Sequence, residues 1–248
     1  MKTRPVKVTA EYLAMRAPLS IIIPTLEAEA TLPAALGSLV EGLEAGILRE
    51  VIVSDGGSRD GTCEIAEAAG CEVIRGAPGR GGQLRRGAAA AGGEWLLFLH
   101  ADSRLRPGWC RAVQAHMKGH PESAGWFALR FDTPGFMPRF VAGWANLRAR
   151  TLGLPWGDQG LLIPRALHDE VGGYRDIPLM EDVEMARALS RRSRLRPLGA
   201  ICETSARRYR QEGWLARGAR NHWLLLRHFC GADPSSLQRS YRPKGPRS

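Results

Sequence analysis

The feature that most constrains the fold of this chain is a series of short apolar runs, each leading into a turn that carries a carboxylate. Val51-Ile52-Val53 leads to Asp55, Trp95-Leu96-Leu97-Phe98-Leu99 leads to Asp102, and a looser match, Gly153 to Gly157, leads to Asp158. Glu181 and Asp182 come last and open a helix-like stretch. Short apolar runs bounded by turn signals read as strands buried on both faces. Carboxylates just past the carboxyl ends of parallel strands converge on one crevice, where an open α/β sheet binds its ligand. Such a crevice can hold a nucleotide, a divalent cation and a base within reach of one another.

The runs alternate with helical segments. Strands are predicted at Leu19–Ile23, Glu50–Ser54, Cys71–Arg75 and Glu94–Leu99. Helices are predicted from Thr31 to Gly46, from Thr62 to Ala69, from the end of a glycine-rich loop at Gly76–Gly82 to Ala91, and from Pro107 to Gly119. Pro33, Pro107 and the glycines that follow each segment supply the start and stop signals. This β-α-β-α order predicts a mostly parallel sheet with helices on both faces. Beyond about residue 120 the alternation weakens. Strands are expected at Gly125–Phe131, Gly160–Ile163 and Ile201–Ala206, and helices at Phe136–Leu152, Asp182–Ser190 and Gly213–Cys230, with a loose tail after Pro234. In the first of these helical segments Phe136, Phe140, Val141, Trp144 and Leu147 recur at helical spacing, which assigns them to the core or to an acceptor wall.

The 248 residues allow one large domain with an appended arm. The expected division is an N-terminal extension at 1–17, a body at 18–210 in two halves that meet at about 120, and a basic arm at 211–248. The charge supports an arm. Residues 187–248 hold fifteen Lys and Arg against three Asp and Glu, whereas residues 1–186 hold twenty against twenty-two. All of the net +10 therefore lies in the last quarter. This excess suits an anionic partner, and a solvated Arg-rich surface explains it equally well. The five cysteines show no C-x-x-C pair, which points to reduced thiols in a cytoplasmic protein. Neither a secretory signal nor a membrane-spanning run is evident.

Two strand-end segments are the most informative: Ile23-Pro24-Thr25-Leu26-Glu27, and Ser54-Asp55-Gly56-Gly57-Ser58-Arg59-Asp60-Gly61-Thr62. Asp55 can accept hydrogen bonds from a base or ribose, and Gly56 lets a ligand approach the backbone. An Asp-capped turn is the alternative. With His100-Ala101-Asp102 and Glu181-Asp182 in the same order, the chain resembles the family-2 glycosyltransferases of the GT-A fold over about residues 18 to 205. It is most similar to a small bacterial branch whose metal motif reads His-Ala-Asp, some of whose members are labelled as acting on carotenoid-type acids.

The resemblance implies a Rossmann-like GT-A body and an inverting hexosyltransferase-type enzyme that moves a single sugar from a nucleotide-sugar donor to a hydroxyl or carboxyl acceptor. Pro24, Thr25, Glu27, Asp55, Gly56, Arg80 and Ala101 would line the nucleotide and its diphosphate. Asp102 would hold a divalent cation, Mg²⁺ or Mn²⁺, since both suit oxygen-rich sites that bridge phosphates. Asp182 would be the catalytic base. His100, Asp158, Gln159 and Glu181 would border the donor and acceptor pocket. His100 departs from the usual family pattern, which has a carboxylate there, so the metal would be held with one fewer hard ligand.

Rival readings are weaker. A nucleotidyltransferase places a glycine-rich phosphate loop directly after the first strand, where this chain has Pro24–Glu27. A nucleic-acid binder would use the basic arm, but the arm shows no recognition motif, so no specific nucleic acid is expected. A processive synthase would carry a Gln-x-x-Arg-Trp motif and membrane spans, and both are missing. The helix at 213–230, with its Trp and Leu face and its arginines, either closes the body or lies on an anionic membrane. The second alternative fits a lipid-linked acceptor and a peripheral position at the inner face of the membrane.

Overall fold

The computed structural model describes residues 17–241. The extension expected at the N-terminus and the end of the basic tail lie outside the described residues, apart from Ala17. The elements run β1 (Leu19–Thr25), α1 (Leu32–Gly37), α2 (Val40–Glu44), β2 (Leu48–Asp55), α3 (Thr62–Ala68), β3 (Glu72–Arg75), α4 (Arg80–Ala90), β4 (Trp95–Phe98), β5 (Ser103–Leu105) and α5 (Trp109–Gly119). They continue with β6 (Gly125–Phe131), α6 (Phe136–Leu152), a 3₁₀ turn (Gly157–Gln159), β7 (Leu161–Pro164), α7 (Arg165–Glu170), α8 (Glu181–Ser190), β8 (Arg196–Thr204), α9 (Arg207–Glu212), α10 (Trp214–Phe229) and α11 (Pro234–Tyr241).

One eight-stranded sheet has the order β3-β2-β1-β4-β7-β6-β8-β5. β1 to β4 are mutually parallel, with Thr25 beside Asp55 and Ile22 beside Phe98. β7 runs antiparallel between β4 and β6, β8 is parallel to β6, and β5 is an antiparallel edge. The carboxyl ends of β1, β2, β4, β6 and β8 therefore share one edge. The chain moves outward from β1 to β3 and then returns to the other side of β1 as β4. That reversal is the topological switch point at which such sheets leave a crevice.

Alternation along the strands explains why they are buried on both faces. Ile21, Ile23, Leu97, Leu99 and Phe127 face one core with Trp109 and Val113 of α5. Ile22, Ile52, Leu96, Phe98, Trp126 and Ile163 face the other with Leu84 and Ala88 of α4 and Met185 of α8. Period-two side chains with helices on each side require apolar residues at every position, which is why the runs read as continuous.

Several expectations change. The helix expected from Thr31 to Gly46 is two short helices, α1 and α2. The loop expected at 76–82 ends early, because α4 already begins at Arg80. Its glycines serve contact rather than flexibility: a Cβ on Gly81 would meet the Arg175 carbonyl oxygen at 2.2 Å. The strand expected at Ile201–Ala206 starts at Arg196, and β5, α7 and α9 carried no sequence signal. The tail is not loose throughout, since α11 buries Leu237 against Leu179 and Leu224. Of the α6 stripe, Val141 packs against the core at Leu129 and Phe131, but the rest faces outward: Phe136 is 78% exposed, and Phe140, Trp144 and Leu147 are each at least half exposed. α6 instead buries Ala142, Ala145 and Ala149.

Candidate active site

The turns after β1 and β2 are laced together. The Asp55 carboxylate accepts from Thr25 Oγ1 at 3.0 Å, Gly57 N at 2.7 Å, and both Ser58 N at 2.8 Å and Ser58 Oγ at 2.5 Å. Burial would raise its pKa, but the bonds from Ser58, Gly57 and Thr25 outweigh burial and hold it below the ordinary carboxylate range. Asp55 is thus the organiser of its own turn, with the bonding capacity of both oxygens engaged. Glu27 joins the partner turn: its N–H donates to Ser58 Oγ and its Oε1 accepts from Arg59 N, both at 2.9 Å. Glu27 has φ +51°, and it and Met180 (φ +68°) are the two non-glycine residues with positive φ among the described residues. Left-handed backbone at a non-glycine residue stores roughly 1–3 kcal/mol and gathers at functional sites. Here the two instances fall in the turn after β1 and directly before Glu181-Asp182.

Gln83 fastens this pair of turns to α4. Its Nε2 donates to Thr25 O at 2.7 Å and to Ser54 O at 2.9 Å, and the residue is buried. A Cβ on Gly56 would lie 3.1 Å from that same amide nitrogen, so glycine there makes room for the clamp.

One turn earlier on α4, Arg80 points into a cleft along the carboxyl edge of the sheet. The cleft has an empty volume of about 830 Å³ including its open mouth. Arg80, His100, Asp102, Asp158, Glu181 and Asp182 all line it. Arg80 Nε lies 2.9 Å from Glu181 Oε1, an ion contact without hydrogen-bond alignment. Its Nη1 lies 3.1 Å from His100 Nε2. Arginine can only donate, so His100 Nε2 accepts and the ring proton sits on Nδ1, which is 4.0 Å from Asp102 Oδ1. Burial, then Arg80, then Arg208 push the His100 pKa well below its ordinary value, so the ring is neutral. Glu181 is 1% exposed; burial raises its pKa, against the pull of Arg80.

Asp182 is aimed by the backbone. Its Oδ2 accepts from Gly157 N and its Oδ1 from Val183 N, both at 2.8 Å. Gly157 must be small, because a Cβ there would meet His100 Nε2 at 2.5 Å. The adjacent Asp158 has an Oδ1 with no hydrogen-bond partner although it is buried. Burial, with Asp182 and Asp102 nearby, raises its pKa to about 6 against the pull of Arg148. The Arg148 guanidinium stacks 3.6 Å from the Trp156 ring and holds Gln159 Oε1 at 3.3 Å.

The structure therefore brings the expected site residues into two neighbouring groups. Pro24, Thr25, Glu27, Asp55 and Gly56 form the paired turns, and Arg80, His100, Asp102, Asp158, Glu181 and Asp182 form the cleft. Gln159 is buried behind the cleft wall as framework, bonded to Arg148, Trp156 and Asn146. Ala101 packs against the core rather than lining the cleft. Sequence reasoning missed Gln83, Arg208, Arg217 and Tyr241. Arg208 lines the cleft just past the end of β8, and the pattern of strand ends feeding the crevice is the signal that could have found it. Arg217 is buried and donates to Glu212 Oε1 at 2.6 Å and to the Tyr241 hydroxyl at 2.9 Å, which brings α11 to the cleft. That contact leaves no local trace in the sequence.

No three His, Cys, Asp or Glu side chains converge as a metal cage among the described residues. Asp102 nevertheless fits the chemistry of a hard cation, which binds through one or two carboxylates, several waters and the substrate's phosphates. Its carboxylate is partly exposed in the cleft and makes no hydrogen bond among the described residues.

A mostly parallel α/β sheet, with laced turns at its switch point and an acid-lined cleft along its carboxyl edge, defines a Rossmann-like α/β protein with a ligand crevice at that switch point. Comparison makes the assignment specific: residues 20–165 match the family described as Glycosyl transferase family 2, and the chain belongs to that family. It is similar to the PGL/p-HBAD biosynthesis glycosyltransferase of Mycobacterium bovis, with 39% identity over 106 residues covering 37% of this chain and 38% of that protein. It is also 33% identical to glucosyl-3-phosphoglycerate synthase of Mycobacterium tuberculosis over 93 residues, covering 34% of this chain and 28% of that one. The matched segments thus span well under half of these relatives. Among solved structures, that synthase in complex with Mn²⁺, UDP and glucosyl-3-phosphoglycerate superposes with a TM-score of 0.60 at 22% identity, over 93% of this chain and 87% of the other. S. aureus TarS superposes with a TM-score of 0.59 at 18% identity, over 75% of this chain and 36% of the other. The shared architecture is the GT-A fold.

Proposed function

We propose that this protein transfers a single sugar from a nucleoside-diphosphate donor to the hydroxyl or carboxyl group of an acceptor, with inversion at the anomeric carbon. The observation that carries the reading is the cleft itself. Asp182, aimed by two backbone N–H groups, shares it with Asp102 and with the cationic pair Arg80 and Arg208. The laced turns at Glu27 and Asp55 would receive the base and ribose, and Arg80 and Arg208 would face the diphosphate. Relatives support a nucleotide donor: a TarS fragment is known in complex with UDP-GlcNAc, and glucosyl-3-phosphoglycerate synthase with Mn²⁺ and UDP.

In the reaction Asp182 accepts the proton of the acceptor hydroxyl as that oxygen bonds to the anomeric carbon from the face opposite the diphosphate. The bond from that carbon to the diphosphate oxygen breaks, and the electron pair leaves with the phosphate. Arg80 and Arg208 stabilise the charge that develops there. A divalent cation bound at Asp102 would supply further neutralisation of the leaving group. Asp158, with its unpartnered buried oxygen, would receive a hydroxyl of the sugar. An acceptor with a lipid tail and peripheral contact with an anionic membrane accord with the arginine-rich last quarter of the chain.

The test is a thermal-shift screen of UDP-, GDP- and dTDP-sugars with and without Mn²⁺. A donor at a hundred times its Kd stabilises the native state by about 2.7 kcal/mol. A metal-dependent shift with one nucleotide, lost in Asp102→Ala and kept in Asp182→Asn, is the expected result. Turnover of that donor should fall by about 10²–10⁴ in Asp182→Asn. No shift with any donor overturns the proposal.

A further inference from the structure

Two helices beside the cleft each leave an apolar stripe uncovered. On α6, Phe136 (78% exposed), Phe140, Trp144 and Leu147 follow one another at helical spacing. On α10, Leu215 (71% exposed), Trp223, Leu226 and Phe229 do the same. Isolated exposed apolar residues need no explanation, but eight large ones in two helical stripes do. The stripes adjoin. Trp144 Nε1 donates to His222 Nε2 at 2.6 Å, and His222 precedes Trp223 on α10. The opposite faces of both helices are already occupied, by Ala142, Ala145 and Ala149 on α6 and by Arg217, Leu224 and Leu225 on α10. The outward faces are therefore surplus to the fold.

The charge around the stripes selects what covers them. α6, α9 and α10 together hold nine arginines and one acid, Glu212. Glu212 is already bound to Arg217 and Arg220. Arg139, Arg150, Arg207 and Arg210 are exposed, with no ion-pair partner among the described residues. A second copy docked through the same face would set this positive field against itself, which costs affinity. An anionic bilayer is complementary in both respects: it takes the aromatic and aliphatic side chains into its interfacial layer and pairs the arginines with its headgroups.

We propose that α6 and α10 form a docking face for an anionic phospholipid bilayer, and that docking presents the cleft to an acceptor held in that bilayer. The second part rests on the sugar-transfer reading; the first does not. The link between them is α10, whose Arg217, Asn221 and Leu224 line the cleft while Trp223 and Leu226 face outward.

The experiment is co-sedimentation of the full chain with vesicles of phosphatidylcholine alone, and with vesicles of phosphatidylcholine and phosphatidylglycerol in equal parts. Binding is expected to the second only, and to weaken as salt is raised. Phe140→Ser and Trp223→Ser should each lower partitioning by about tenfold or more, the worth of one large apolar side chain. Arg139→Gln and Arg210→Gln should each lower it by about fivefold. The donor-induced thermal shift is read on the same samples and should be unchanged in all four variants, which separates loss of the face from loss of the fold. Wild type that keeps its donor shift but ignores both vesicles overturns the docking face and leaves the sugar-transfer reading standing. Vesicle binding with no donor shift does the reverse. A dimer by light scattering that Trp223→Ser converts to monomer makes the face a contact between copies and overturns the proposal.

Discussion

Replacing Arg80 with methionine probes the electrostatics at the centre of the cleft. The guanidinium is the 2.9 Å counter-ion of Glu181, which is 1% exposed, and the donor to His100 Nε2. Removing one partner of a buried ion pair costs about 3–5 kcal/mol. Arg80 itself is 31% exposed, so water screens part of the interaction and enters the space left behind. A loss of roughly 1–3 kcal/mol near pH 8 remains. For a chain of this size that lowers Tm by roughly 3–10 °C.

The loss depends on pH, and the sign follows from both neighbours. Burial raises the Glu181 pKa and Arg80 restrains the rise, so in Arg80→Met it climbs further. A carboxyl whose folded pKa is raised contributes stability below its unfolded pKa and loses it as pH rises through the folded value. The variant is therefore penalised most where Glu181 must ionise without its partner. His100 acts in the same direction. Burial and then Arg80 hold its pKa down, so in the wild type the neutral ring loses stability as pH falls below about 6.5. Without Arg80 that acid penalty shrinks. Urea titrations of wild type and Arg80→Met should thus differ by roughly 1–3 kcal/mol near pH 8 and by less than about 1 kcal/mol near pH 5. Arg80→Lys keeps the charge but not the fork and should fall between them. An equal loss at both pH values would refute the claim that Arg80 stabilises an ionised Glu181 and a neutral His100.

Other outcomes follow from single contacts. Gly157→Ala should drive His100 away from Arg80, because the new Cβ would start 2.5 Å from Nε2; denaturant titration should show a loss of about 1–3 kcal/mol, with weaker donor binding. Gln83→Leu removes the amide that donates to both Thr25 O and Ser54 O, while Thr25 O keeps its bond from Gly56 N. It should cost roughly 0.5–1.5 kcal/mol for each bond lost and raise amide exchange in the Gly56–Ser58 turn, measurable by mass spectrometry. Asp158 has its pKa raised to about 6, so its contribution to stability is present below the ordinary carboxylate range and is lost as pH rises through about 6. Asp158→Asn should remove that fall from the pH profile of urea stability. A profile as steep as wild type would assign the titration to another group.

The half of the fold before about residue 120 was legible because its information is local. In β1, Ile21 and Ile23 face one core while Ile22 faces the other, so an apolar run of that length bounded by Pro24 can only be an inner strand. The Asp55 turn is equally local: three of the four bonds to its carboxylate come from the next three residues. The half after it was harder because β7 enters antiparallel between β4 and β6, so Asp158 reaches the cleft edge before its strand rather than after one.

The sequence by itself determined which residues could be strands, where the turns fall and which helices have an apolar side, since these depend on side-chain periodicity and near neighbours. Tertiary structure alone decided which charges meet and which apolar faces are covered. Arg80 and Glu181 belong to helices far apart in the chain, and neither sequence neighbourhood contains the other's burial. The α6 stripe from Phe136 to Leu147 had the same spacing whether it faced core or water. Amphipathicity fixes only that a helix has an apolar side, and the packing of Ala142, Ala145 and Ala149 inward turned the aromatic side out.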